Sequence, residues 1–272
     1  MDTSNPSVPV PLCPGGTSQQ GQPQAALVDY ANIAWHPDYD EVWFGGGWTQ
    51  RGRSEAEVLA LCNRETGGGC SSIGEYSNSY LAIVKSGNGD LYYGWGQGSG
   101  AARKDALKNC RTNRRANVQP LPCELVGTYN ALTRKYITPK DLKSARKLYG
   151  AGAWVVGTEG YDRRAWFATG HPSREAATSA AIAACKKANS GRECEAFGLT
   201  GNGFIQAFQM TVRGEKTADD MVIVETSAKR AGDAAKAVCK ANKKACVLQT
   251  TFDTRKPGLF EHSFKTGVTS PL

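Results

Sequence analysis

The stretch Pro172–Cys194, PSREAATSAAIAACKKANSGREC, decides the fold because it combines an alanine-rich run with two cysteines. A serine opens the run, one cysteine ends it, and a second cysteine follows a short basic loop. A helix with such a narrow apolar stripe can lie close to a sheet when the sheet supplies the large side chains. A disulfide across the following turn would fix the helix end to the next strand.

The same pattern occurs elsewhere in the chain. The other segments are GRSEAEVLALCNRETGGGC, ending at Cys70, GSGAARKDALKNC, with its second cysteine at Cys123, and SAKRAGDAAKAVCKANKKAC, ending at Cys246. A mostly aromatic strand precedes each helix, as in EVWFGGGW, DLYYGWGQG, RAWFATGHP and, more weakly, DMVIVETS. This regular recurrence indicates homologous modules, and it has to be recognised first because it sets the architecture.

Each module is predicted to begin with a β-hairpin. The apolar runs Leu81–Val84 and Leu91–Tyr93 flank Ser86–Asp90, which contains the Asn-Gly pair typical of a hairpin turn. His36–Asp40 and Thr158–Asp162 occupy the same point in the first and third modules. A helix and a short apolar strand follow, so the unit is strand-strand-helix-strand and roughly fifty residues long.

The helix signals are a serine cap and an alanine stripe. Ser54 and Ser173 are predicted to accept from the first free backbone N–H groups of their helices. The stripe expected to face the sheet in the third module consists of Ala176, Ala177, Ala180, Ala181 and Ala184.

The sequence therefore predicts an α+β fold of repeated strand-strand-helix-strand modules, with small helices packed on antiparallel sheets and stapled by disulfides. A Thr, a Pro and a terminal Gly in TPKDLKSARKLYG indicate one short helix between the second and third modules. The predicted organisation is a flexible lead over 1–24, a first half over 25–137, a connecting helix over 138–150, a second half over 151–255 and a tail over 256–272.

Cysteine usage indicates an oxidising compartment. The chain has 9 cysteines, and the absence of the C-x2-C spacing of zinc sites favours disulfides over metal thiolates. The expected pairs are Cys62 with Cys70, Cys110 with Cys123, Cys185 with Cys194, and Cys239 with Cys246, which leaves Cys13 in the lead as the odd one. We expect a periplasmic or secreted protein whose signal peptide was removed ahead of Met1, and the sequence contains no apolar run of membrane-spanning length.

These modules resemble the bacterial exported domains known as domain of unknown function 4189. The family pattern is an aromatic strand, a Gly-containing turn, S-x-x-E/A-A, an alanine-rich helix ending in Cys, and a second Cys before a strand. Trp166–Cys194 matches it best, Trp43–Cys70 and Tyr92–Cys123 match less fully, and Val222–Cys246 lacks the aromatic pair. The resemblance implies export to the bacterial periplasm or outside, and it implies no activity.

The 3 histidines do not form a catalytic pattern. His36 has Asp38, Asp40 and Glu41 nearby, which is a candidate metal corner, but Asp and Pro are expected in a hairpin turn in any case. His171 lies two residues before Ser173, which is already needed as a helix cap. Glu261-His262-Ser263 is expected in a solvated tail.

Gly45–Gly47 resembles a phosphate-binding loop only in its glycines. A P-loop requires Lys-Ser/Thr after the glycine run, whereas Trp48 follows here, so turn glycines are expected. No acidic pair recurs as glycoside cleavage would require. We therefore predict no enzyme, no catalytic residue, no metal and no cofactor.

Charge gives the strongest indication of a partner. The net charge is +8, and basic residues gather beside the cysteine pairs. They are Arg111, Arg114 and Arg115; Lys186, Lys187 and Arg192; and Lys240, Lys243 and Lys244. One interpretation is that these cations complement helix macrodipoles. The other is an electropositive surface that attracts an acidic partner protein or an anionic envelope polymer. Nucleic acid is not expected, because no basic-aromatic recognition motif is present.

Two functions fit these features. The first is a non-catalytic exported binding protein, most concretely an immunity protein that inhibits a secreted antibacterial toxin in the periplasm. A basic inhibitor suits an acidic phospholipase or cell-wall hydrolase better than a nuclease. The alternative is an envelope-glycan or anionic surface-polymer binder with Trp43, Trp48, Trp95 and Trp166 as stacking platforms, although a core role is expected for most of these side chains.

Overall fold

The structure is a computed structural model that describes residues 27–114, 120–157, 163–212 and 218–272. Cys13, Arg115 and the predicted turn Thr158–Asp162 lie outside these ranges. The helices are α1 (Arg53–Thr66), α2 (Ser99–Asn113), α3 (Leu142–Ala145), α4 (Arg174–Ala188) and α5 (Ala228–Ala241). The strands are β1 (Tyr30–Trp35), β2 (Val42–Trp48), β3 (Ser71–Ser72), β4 (Tyr76–Ser77), β5 (Tyr80–Lys85), β6 (Leu91–Gly96), β7 (Glu124–Asn130), β8 (Tyr136–Ile137), β9 (Tyr149–Val155), β10 (Arg164–His171), β11 (Cys194–Gly201), β12 (Phe204–Thr211), β13 (Ala218–Glu225), β14 (Ala245–Asp253), β15 (Gly258–Ser263) and β16 (Thr269–Pro271).

The predicted α+β fold of repeated modules is confirmed. Modules one to four are β1-β2-α1-β3, β5-β6-α2-β7, β9-β10-α4-β11 and β12-β13-α5-β14. In each module the first strand lies between the second and third strands, and every pairing is antiparallel. The fourth module keeps this order although it lacks the aromatic pair, because Phe208 and Ile223 supply the large side chains against α5.

Successive residues of a strand serve two different cores, since their side chains alternate between the faces of the sheet. On β10, Trp166 packs against the alanines of α4, while its neighbour Phe167 packs against the sheet of module four. On β2, Trp43 faces α1 and Phe44 faces the sheet of module two. Modules one and two therefore form one sandwich, and modules three and four form another, each with its helices on the outside.

The alanine stripe of α4 lies where the sequence predicts. Ala177, Ala181 and Ala184 are buried against the core that contains Trp166, and Ala180 packs at its edge. Because this helix face carries only methyl groups, the helix can lie close to the sheet with the indole of Trp166 packed between them.

One of the two predicted serine caps is correct. Ser173 Oγ accepts from the backbone N–H of Ala176 at 3.1 Å. Ser54 instead lies inside α1, and its hydroxyl donates to Glu75 Oε2 at 2.6 Å. The same oxygen accepts from the N–H of Gly52 at 2.7 Å. A carboxylate remote in sequence thus holds the start of α1, which a local pattern does not reveal.

The glycines of Gly45–Gly47 lie within strand β2 rather than in the turn that the sequence predicts. A Cβ at Gly45 would lie 2.7 Å from Cγ2 of Val58 on α1, and one at Gly46 would lie 2.7 Å from the Phe44 ring. The strand carries glycine here because neighbouring side chains occupy the space that a side chain would need.

All four predicted disulfides are present. The Cα–Cα distances are 6.1 Å for Cys62–Cys70, 6.6 Å for Cys110–Cys123, 6.3 Å for Cys185–Cys194 and 5.9 Å for Cys239–Cys246. Each bond joins the last turn of a helix to the start of, or the approach to, the next strand.

The connecting helix is shorter than the sequence predicts. It is the single turn α3, and Asp141 rather than Thr138 caps it by accepting from the N–H of Lys143. Tyr149 and Gly150 already belong to β9, where Gly201 and Thr200 are their partners. The last two residues of the predicted helix therefore belong to a strand, because they pair with β11.

The prediction of a solvated tail over 256–272 is wrong. Strand β15 pairs with β10 over six residue pairs, from Arg164–Ser263 to Thr169–Gly258, and β16 continues the sheet. His262 and Phe264 are fully buried. The segment completes the sheet of module three and covers part of its core, so it belongs to the folded domain. Among the described residues, no helix is long and apolar enough to cross a membrane.

Candidate functional site

The predicted partner-binding cations lie at three separate helix ends, those of α2, α4 and α5. At the end of α4, Lys186, Lys187 and Arg192 are exposed, and the Cys185–Cys194 disulfide closes the turn that carries them. We call these three residues the α4 basic turn. They belong to one short loop, so the structure brings them together.

At each of the other two helix ends, one of the cations forms a hydrogen bond or an ion pair within the protein. Arg111 is exposed at the end of α2, whereas the Arg114 guanidinium donates to the carbonyl of Leu121. Lys240 and Lys243 are exposed at the end of α5. Lys244 is only partly exposed and forms an ion pair with Asp219. All three residues of the α4 basic turn are exposed, whereas Arg114 and Lys244 at the other two ends are only partly exposed.

The tryptophans predicted as stacking platforms separate into two classes. Trp43 and Trp166 are completely buried core residues. Trp48 is half-buried beneath the guanidinium of Arg53, whose Cζ lies 5.2 Å from the ring centroid. Trp95 is 45% exposed and contacts the ring of Tyr93 at a centroid distance of 5.0 Å. Of the four, only Trp95 presents a largely open aromatic surface.

The histidines have structural contacts. Nδ1 of His36 accepts from the N–H of Asp38 at 3.1 Å, within the predicted hairpin turn. His171 ends β10 opposite Tyr149. His262 is buried between Thr269 and Gln249, with both ring nitrogens at 2.9 Å from an oxygen. Over the ranges that the structure describes, no group of three or more His, Cys, Asp or Glu side chains has an arrangement that could hold a metal ion.

A second candidate site is a cleft between the two halves, which we call the central cleft. Its volume is about 490 Å³. Modules one and two, the connecting segment and module three all contribute to its walls. The lining residues are Trp35, Pro37, Asp38, Asp90, Leu91, Lys147, Tyr149, Ser173, Arg174 and Glu175.

Lys147 is the most unusual residue of this cleft. Its side chain is only 3% exposed, and its ammonium donates to the carbonyl of Pro37 at 3.0 Å. Within the described ranges it forms no ion pair. Burial lowers the pKa of the Lys147 ammonium, and the nearby carboxylate of Asp40 offsets part of that decrease. A buried ammonium with a single carbonyl acceptor is costly, because it has lost water and forms no direct ion pair in return.

The other charges of the cleft are arranged around this ammonium. Arg174 and Asp90 form an ion pair across the two halves, and the Arg174 guanidinium lies 5.6 Å from the centroid of the Tyr149 ring. The carboxylate of Asp38 makes no hydrogen bond or ion pair with any described residue. Burial raises the pKa of the Tyr149 hydroxyl; Arg174 lowers it to a smaller extent, and Asp38 adds to the increase.

An apolar cavity adjoins the cleft, and we call it the aromatic hollow. Its volume is about 210 Å³. Trp35 and Leu91 line both cavities. The remaining walls of the hollow are Ser72, Ile73, Ile83, Tyr92 and Tyr93. The cleft thus offers charged groups, and the neighbouring hollow offers an apolar space.

The central cleft has no signature in the sequence. Asp38 lies in a predicted turn beside His36, and Lys147 and Arg174 lie in segments that the sequence predicts as helical. The residues that meet here come from distant positions, and no local spacing connects them.

Comparison with protein-family models matches residues 30–130 to the family described as Domain of unknown function (DUF4189). The match spans the first two modules, whereas the resemblance in the sequence was fullest in the third. Comparison with curated proteins and with solved structures found no match. The element order and the disulfides of these two modules agree with the pattern described above. Residues 30–130 of this chain therefore belong to the DUF4189 family, a domain of unknown function.

Proposed function

We propose that this protein is a non-catalytic exported binding protein, and most concretely an immunity protein that binds and inhibits a secreted antibacterial toxin in the periplasm. The observation that supports the proposal is the α4 basic turn, whose exposed cations stand on a loop closed by a disulfide. A loop that is already ordered loses little conformational entropy when it docks, so such a turn favours tight stoichiometric binding.

Charge indicates the kind of toxin. The chain carries a net charge of +8, and exposed cations steer an acidic partner towards the surface that will bind it. We therefore propose an acidic phospholipase or cell-wall hydrolase as the partner. A nuclease is the poorer candidate, because an inhibitor of a nuclease usually needs negative charge, whereas this chain is basic.

The test is a calorimetric titration of this protein against the exported product of a neighbouring gene, with periplasmic toxicity scored in parallel. The proposal predicts binding with a stoichiometry of about one and protection of cells that express both proteins. A product that is toxic in the periplasm, that this protein does not bind and against which it does not protect, would contradict the proposal for that pair.

A second candidate function is binding of an envelope glycan or an anionic surface polymer. The observation that favours it is the pair Tyr93 and Trp95, which are 38% and 45% exposed on β6. Strand β6 is at the edge of its sheet, so the two rings are accessible to a chain of sugars. Aromatic rings stack on the apolar faces of sugars.

Retention on purified cell-wall or capsular polymer tests this alternative. We expect Trp95→Ala to abolish retention if the polymer stacks on this pair. Trp48→Ala is the matched control, because that ring is half-buried beneath Arg53. Equal retention of both variants and the unmodified protein would contradict the role of Trp95.

A further inference from the structure

We propose that the central cleft binds a free α-amino acid, with its charged groups against Lys147 and Asp38 and an apolar or aromatic side chain in the aromatic hollow. This inference goes beyond the toxin-binding proposal and does not depend on it, since it concerns a different surface and a different class of ligand.

The first step is the unmatched positive charge. Lys147 is 3% exposed and lines the cleft, and its ammonium has one hydrogen bond, to the carbonyl of Pro37 at 3.0 Å. An ammonium has three N–H donors, and no described carboxylate pairs with this one. Asp40 lies near enough to act on the charge of Lys147 but forms no ion pair with it, so a ligand carboxylate in the cleft would supply both a further acceptor and a direct ion pair.

The second step is the unmatched negative charge. The Asp38 carboxylate lines the same cleft and has no partner among the described side chains. The two residues are held close together, because the N–H of Lys147 donates to the carbonyl of Asp38 at 2.6 Å. Their side chains do not pair with each other, since the ammonium of Lys147 is directed to Pro37.

A ligand with a single charge pairs with only one of the two residues. Arg174 and Asp90 already satisfy each other in an ion pair. Glu175 lies at the start of α4, where its own N–H and Ser173 lower the pKa of its carboxyl group. An anion would leave Asp38 without a partner, and a cation would leave Lys147 without one. A ligand that carries a carboxylate and an ammonium on the same carbon, as an α-amino acid does, satisfies both.

The fourth step places the rest of the ligand. Trp35 and Leu91 line both the cleft and the hollow, so the two cavities are neighbours and the hollow is the nearest apolar space for the side chain of the ligand. The hollow is about 210 Å³ and has aromatic walls. Rings prefer edge-to-face or offset packing against such walls, which favours an amino acid with a large apolar side chain over alanine.

Four small molecules test the assignment by calorimetric titration of the full chain. They are L-phenylalanine, phenethylamine, which lacks the carboxylate, 3-phenylpropionate, which lacks the ammonium, and L-alanine, which lacks the ring. We expect L-phenylalanine to bind at least about tenfold more tightly than each of the others, because each analogue leaves one group of the site unmatched.

Two variants assign the charges to residues. Lys147→Met should weaken binding of L-phenylalanine by about tenfold or more while leaving the affinity for phenethylamine nearly unchanged. Asp38→Asn should weaken binding of L-phenylalanine to a similar extent while leaving the affinity for 3-phenylpropionate nearly unchanged. Lys140→Met is the control, because Lys140 is exposed and does not line the cleft. Circular dichroism checks that each variant is folded.

Two results of these titrations would overturn the proposal. Absence of L-phenylalanine binding at millimolar concentration to the unmodified protein would overturn the proposal. Equal affinities for L-phenylalanine and both singly charged analogues would also overturn it, because binding would then not use the two charges. If Lys147→Met fails to fold, the Asp38→Asn pair of titrations still decides the question.

Discussion

Asp90 in the hairpin turn of module two forms an ion pair with Arg174 at the start of α4 in module three. The same turn inserts into the second half: the hydroxyl of Thr200 donates to the carbonyl of Gly87 at 3.3 Å. The turn that the sequence predicted as a simple hairpin connection is therefore also part of the contact between the halves.

We expect Gly89→Ala to destabilise the protein by about 1–3 kcal/mol. Gly89 has φ +87, and a Cβ there would lie 3.0 Å from the carbonyl oxygen of Gly201. Gly100→Ala is the control, because a Cβ at this position within α2 has nothing within 4 Å. It should be neutral or stabilise by up to about 1 kcal/mol. Chemical denaturation measures both, and an equal response of the two variants would contradict the docking of the turn.

Removal of one disulfide should be costly. Cys185→Ala together with Cys194→Ala opens a short loop, so the chain-entropy estimate is a loss of about 2–3 kcal/mol in the free energy of unfolding. Denaturant titration of the oxidised proteins measures the loss. Peptide mapping without reduction should find the same pairs as the structure, and a linkage between modules would contradict them.

His262 should make stability depend on pH. Gln249 Nε2 donates to the carbonyl of Phe264 at 3.0 Å, so Gln249 Oε1 accepts from His262 Nε2, and Nδ1 accepts from the hydroxyl of Thr269. Burial lowers the pKa of His262 below its usual 6.5, and Asp220 offsets part of this decrease. Because folding lowers this pKa, the folded state favours the neutral imidazole. The neutral imidazole therefore contributes fully to the stability of the fold only above the pKa of the unfolded chain.

The folded protein should therefore lose stability as the pH falls below about 6.5. Urea denaturation between pH 7 and pH 5 should show a steeper loss for the unmodified protein than for His262→Gln, which has no ionisable group at this position. The comparison uses the slopes, so a constant offset from altered packing does not affect it. Parallel slopes would show that His262 does not titrate on unfolding.

The modular fold could be predicted because the sequence signals for each module lie within one short segment. A serine, an alanine stripe and a cysteine define α4 within Pro172–Cys194, and three other segments repeat the pattern. The pairing of the cysteines follows from the same repetition, since each pair flanks the same turn. The alanine pattern predicts the structure correctly because close packing of the helix on the sheet requires small residues at these positions.

The features that could not be predicted depend on contacts between distant residues. Strands β15 and β16 have no counterpart in the other modules, and only their pairing with β10 gives them a place. The glycines of β2 are explained by Val58 and Phe44, not by a turn. The central cleft joins Asp38 to Arg174 across more than a hundred residues of sequence, a separation that no motif spans.

The central functional claim is that the α4 basic turn guides an acidic partner to this protein. The decisive measurement is the association rate constant with a captured partner toxin, as a function of salt, for the unmodified protein and for Lys186→Glu, Lys187→Glu and Arg192→Glu combined. A control reverses Arg103, Lys104 and Lys140, which are also exposed but lie away from the C-terminal ends of α2, α4 and α5. We predict that the first set slows association by about tenfold or more at low salt and reduces its salt dependence, while the control set changes little. Equal rates for both reversed proteins would contradict the account.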